Sequence, residues 1–60
     1  MIISIYNNKE KKERLEIHQV ASKAFEVKKY IQYNAGVLGL KGLWNFDNLT
    51  KAESFLNAIK

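Results

Sequence analysis

The sequence predicts a small α+β domain, and three observations predict it. Residues 2–6 alternate Ile-Ser-Ile after an apolar start, which favours a strand. Ile17, Val20, Ala21, Ala24, Val27 and Ile31 recur along one stripe at helical spacing. Thr50, followed by Glu53 three residues later and by Ala52, Phe55, Leu56 and Ile59, has the pattern of a capped amphipathic helix at the C-terminal end.

The N-terminal strand ends at Asn7-Asn8, residues that favour turns. Two readings of the next segment follow. In the first, Asn7 caps a long central amphipathic helix, with Glu10 three residues on in a capping-box-like position. Only Lys28 interrupts its apolar stripe, and a lysine stem can lie along apolar surface with its charge in water. In the variant, residues 7–13 are a polar loop and residues 14–20 form a second strand through Leu15 and Ile17. The helix then begins near Ser22, a good N-cap residue, and the order becomes ββαβα. Periodicity favours the long helix; topology favours the hairpin, because a lone pair of strands is poorly supported in water. Both readings make residues 22–34 helical, and both stop that helix near Gly36, a natural C′ residue.

Gly36, Gly39 and Gly42 recur at every third position. They fit neither Gly-x-Gly-x-x-Gly nor Gly-Lys-Ser/Thr, so they read as a tight connector into a strand over residues 40–46. That strand sets Leu43 and Asn45 on one side and Trp44 and Phe46 on the other. Asp47-Asn48 turn the chain into the last helix, where Lys60 lies near the negative end of the helix dipole.

A chain of 60 residues is a single domain, residues 1–60, with a thin margin of stability. Burial of apolar surface and the ordering of the chain each come to about 90 kcal/mol, with opposite signs. Small domains commonly close that gap with disulfides, a metal or a partner. There is no Cys, so disulfides are excluded. His18 is the only imidazole and there is no sulfur ligand of the thiolate kind, so neither a metal nor another cofactor is expected. Association remains, and a homodimer is the expectation, with the sheet completed across the pair and its strand edges covered.

The lack of Cys fits a reducing compartment. No apolar run approaches the ~20 residues of a membrane span, and the start lacks the basic lead and apolar core of a signal peptide. The expectation is a cytoplasmic protein with no membrane partner.

Catalysis finds little material. Ser4, Ser22, Ser54 and Thr50 carry no nucleophile motif, and His18 is a solvated or partner-facing histidine rather than a base. Glu10, Glu13 and Glu16 sit among Lys9, Lys11, Lys12 and Arg14, where ion pairing accounts for them. The chain is therefore expected not to be an enzyme. Recognition is the better prospect. Trp44 and Phe46 are candidate interface anchors. Tyr30 and Tyr33, interleaved with Lys28 and Lys29, form a second candidate patch. The leading expectation is a protein-binding module, such as a small inhibitor or regulator of a larger protein, of a kind that phages and mobile elements encode. The formal charge of +4 admits an alternative, a small basic nucleic-acid binder that stacks those rings on bases.

Overall fold

In the computed structural model, which describes residues 1–34 and 36–60 (Asn34 by its backbone), the chain forms four strands and one helix. Their order is β1 (Ile2–Asn8), β2 (Glu13–Ala21), β3 (Ala24–Asn34), β4 (Val37–Phe46) and α1 (Leu49–Ile59). The strands make one antiparallel sheet in the order β1-β2-β3-β4, a meander in which each strand pairs with the next. No helix among the described residues is long and apolar enough to cross a membrane.

The expected central helix is overturned. Residues 24–34 are β3, and residues 14–20, the second strand of the variant, lie inside β2. The fold is ββββα rather than either expected arrangement. Ser22 caps nothing; Ser22-Lys23 form the turn between the Ala21↔Ala24 pair. The physical reason lies in two periods that coincide over this stretch. Ile17, Ala24, Val27 and Ile31 fit a helical stripe, but Ile17 also stands beside Leu15, and Val27 beside Phe25, at strand alternation. Val27, Tyr30, Ile31 and Tyr33 are residue types that suit a pleated surface. Lys29, which a two-residue alternation places among apolar neighbours, is half-buried and reaches Glu13 Oε2 at 3.1 Å. Pairing with β2 on one side and β4 on the other then decides the matter.

Helix α1 covers one face of β2, β3 and β4. Leu15, Ile17, Phe25 and Val27 meet Ala52 and Leu56 there, and Tyr6, Trp44, Phe46, Leu49, Phe55 and Ile59 close the cluster. Ala52 is fully buried, and its small side chain lets helix and sheet approach closely. The Phe55 ring sits 4.8 Å from Trp44 and 5.2 Å from Phe46, centroid to centroid, within the range of favourable aromatic pairs. The helix is capped two residues before the expected position, at Asn48. Asn48, extended at φ −150°, accepts the Lys51 N–H on Oδ1 at 2.7 Å. Thr50 and Glu53 are exposed within the helix. At the far end the Lys60 N–H donates to Leu56 O, and its Nζ lies 4.9 Å from the Tyr6 ring centroid, joining helix to β1.

The glycines serve three ends rather than one connector. Gly36, at φ +81°, takes the left-handed conformation in the turn before β4. Gly39 and Gly42 lie inside β4, and each receives an aromatic ring flat on its backbone. A Cβ at Gly39 would lie 2.3 Å from Tyr33, and one at Gly42 would lie 2.4 Å from Trp44.

Candidate functional site

Eleven helical residues at ~1.5 Å each cover only about half the length of the longest strand, and they cover one face. The other face of the sheet carries no element of the described chain. Alternation and register set its residues. Ile5, Glu16, Lys28 and Leu43 form one row across the four strands. Asn7, Arg14, Tyr30 and Leu40 form the next, and Gln32 with Leu38 the one beyond. Ile2, His18, Glu26 and Asn45 form the row that flanks the first on its opposite edge, on this same face.

Exposed aliphatic side chains line the two edges, and Val20, 57% exposed, lies near the end of β2 between them. On β4, Leu38, Leu40 and Leu43 are 44%, 56% and 46% exposed; on β1, Ile2 and Ile5 are exposed to a similar degree. A bulge at Lys41, between Tyr30↔Leu40 and Lys29↔Gly42, brings Leu43 onto the same face as Leu38 and Leu40. Without the extra residue, Leu40 and Leu43 would point to opposite sides.

Charge occupies the middle strands and is internally matched. Glu16 is only 7% exposed although nothing lies above it. Its own neighbours bury it. Arg14 Nε stands 2.7 Å from Oε2, and His18 Nε2 stands 2.6 Å from Oε1. Both flanking residues come from the same face of the same strand. The Arg14 Nε–H is not aligned along the contact, so it is an ion pair without a hydrogen bond. Lys28 Nζ lies 4.0 Å from Glu26 Oε1. Two cations, Arg14 and Lys28, thus meet two anions, Glu16 and Glu26, in the middle of the open face. The +4 of the chain comes from other residues, in the turns, in the helix and at Lys41 in the β4 bulge.

The six sequence-predicted binding residues divide between the two faces. Tyr30 and Lys28 are on the open face. Trp44 and Phe46 are on the helix side, part-buried against Phe55. Lys29 is also on that side, paired with Glu13. Tyr33 lies over Gly39 and is 63% exposed. Tyr30 and Tyr33, three apart, share a face on a helix but fall on opposite faces of a strand. Sequence reasoning set Leu43 opposite Trp44 and Phe46, which the alternation here repeats. It missed Leu38, Leu40 and Glu16, whose common face depends on strand pairing and a bulge.

A carboxylate holding an imidazole is also the orienting half of a hydrolytic triad. Among the described residues no serine or threonine hydroxyl is hydrogen-bonded to His18, and no three of His, Cys, Asp and Glu come together as metal ligands. The chain matches no known protein family, and neither its sequence nor its fold finds a match among curated proteins or solved structures.

Proposed function

We propose that the chain is a non-enzymatic protein-binding module that docks through the uncovered face of its sheet, first onto a second copy of itself. The observation that carries this reading is the make-up of that face: leucines and isoleucines along both edges, with a charge-matched strip between them. A charge-matched strip offers little attraction to a polyanion, whereas apolar flanks around paired charges suit a protein surface. The extents of the domain, 34 × 20 × 15 Å, give that face roughly 700 Å², close to the ~800 Å² per partner of a standard interface. The core supplies a motive as well. Among the described residues six apolar side chains are buried, two of them from the helix, and covering the leucine row would add apolar burial that the monomer lacks. A regulator built this way would act by exchanging one copy for a larger target protein on the same face.

Leu40→Asp combined with Leu43→Asp tests the reading. Both side chains are about half exposed, so the variant is expected to melt as a folded monomer of 7.0 kDa by light scattering, while the unaltered chain has twice that mass at micromolar concentration. An unaltered chain that is monomeric, and that recovers no protein lost by the double variant in pull-downs from nuclease-treated lysate, would sink the proposal.

A further inference from the structure

At one end of the molecule the β1–β2 and β3–β4 turns lie side by side and enclose a groove of about 360 Å³. We propose that this groove is a binding site for a phosphate group. Lys9, Lys12 and Arg14 line it, together with the amide side chains of Asn7, Asn8 and Gln32. Glu13 also borders it, but Lys29 engages that carboxylate at 3.1 Å from the helix side of the sheet. The balance at the groove is therefore positive, in contrast to the charge-matched strip beside it. Arg14 is already paired with Glu16, so the cations left to a ligand at the groove are Lys9 and Lys12. A phosphate carries up to two charges and several acceptor oxygens, and it suits lysine point charges beside an arginine fork.

Lys12 supplies the second, independent observation. Its φ is +54°, the left-handed region, and it is the only non-glycine residue there among those described. Glycine or asparagine takes that conformation at lower cost. The backbone there is fixed without help from the side chain: Lys12 O accepts the Gln32 N–H at 2.8 Å, tying one hairpin to the other. The Asn8 side chain accepts the Lys11 N–H at 3.1 Å and secures the turn from within. What lysine contributes at this position is thus its charge, set at the rim of the groove. Strained residues of this sort gather where function holds them. Arg14 adds a guanidinium whose Nε is buried beside Glu16 in an ion pair without a hydrogen bond.

The groove adjoins the leucine-edged face and shares Asn7, Arg14, Gln32 and Leu38 with it, but phosphate binding at its lysine rim does not depend on the protein-binding proposal. Two sources of the same chemistry fit it: a small polyphosphate or nucleotide, and a backbone phosphate of single-stranded nucleic acid. The test titrates the isotopically labelled chain with tripolyphosphate and, separately, with short oligothymidylate, following backbone amide shifts. Saturable shifts centred on Asn8, Lys12 and Gln32 are expected. Lys12→Gly is expected to weaken binding about tenfold, as the loss of a charge-assisted contact does, while its melting temperature equals or exceeds that of the parent. Lys12→Arg should retain binding, and Lys23→Ala, in the opposite turn, should leave it unchanged. With that pattern, tighter binding of the oligonucleotide assigns the phosphate to nucleic acid; equal or weaker binding assigns it to a small compound. Equal losses in Lys12→Gly and Lys23→Ala, shifts spread over every lysine-bearing segment, or a Kd weaker than about 10 mM for both ligands would overturn the proposal.

Discussion

Replacing Gly42 with alanine adds a methyl group where Trp44 already lies. The new Cβ would meet three ring carbons at 2.4, 2.8 and 3.0 Å. Trp44 has little room to retreat, because its other side packs on Phe55 at 4.8 Å under the helix. Overpacking of this kind costs ~1–3 kcal/mol, and disturbing the aromatic pair adds ~0.5–1.5 kcal/mol. Against this, removing a glycine from the unfolded chain returns ~0.4–1 kcal/mol where the backbone permits a side chain, as it does here, since φ is not positive. The net loss is about 2 kcal/mol, from a total of roughly 3–9 kcal/mol for a domain of this size. Melting should fall by about 10 °C. Gly39→Ala is the internal control. Its Cβ would meet Tyr33 even more closely, at 2.3 Å, but Tyr33 is 63% exposed and can swing into water. That variant should stay within about 0.5 kcal/mol of the parent. Thermal circular dichroism measures both, and Trp44 fluorescence reports whether the ring has moved. A Gly42→Ala protein as stable as Gly39→Ala, with unchanged emission, would refute the steric account of this strand.

Two further contrasts test the assignments made above. Asn48→Ala should cost about 1 kcal/mol by removing the cap on the Lys51 N–H, whereas Thr50→Ala should leave the thermal melt unchanged; the reverse order would return the cap to the position the sequence suggested. Glu16→Gln should cost roughly 1–2 kcal/mol in urea denaturation, since it leaves Arg14 and His18 facing a neutral group in a poorly solvated place. Asp47→Asn removes only an exposed pair with Lys51 and should change nothing measurable. Equal effects from the two would mean that Glu16 is solvated like any surface carboxylate.

The candidate site was legible only in part. The Lys9–Arg14 run is visible in the sequence, but the groove it lines also needs Gln32 and Gly36 from a hairpin some twenty residues away. Leu38 lay in a stretch read as connector, because three glycines in seven residues suggest a turn, and Leu40 stood at the start of the expected strand. Only the rings of Tyr33 and Trp44, set over Gly39 and Gly42, explain how a strand runs through them. Leu43 joins the leucine row through a one-residue bulge that no periodicity announces. The anchoring roles considered for Trp44 and Phe46 rested on residue type, and the helix now occupies the space on their side.

By itself the sequence determined the local features: a strand from Ile2, the opposition of Leu43 to Trp44 and Phe46, a C-terminal amphipathic helix on Ala52, Phe55, Leu56 and Ile59, and a net positive charge. These depend on neighbours within a turn or two of chain, and such information is present in the residues themselves. Tertiary structure alone decided that residues 24–34 are a strand, that Glu16 is buried by Arg14 and His18, and that Leu38, Leu40 and Leu43 share an uncovered face. A stretch with both periods has no preference strong enough to choose between them. The choice falls to the backbone hydrogen bonds and the buried apolar area that only its partner strands, β2 and β4, can supply.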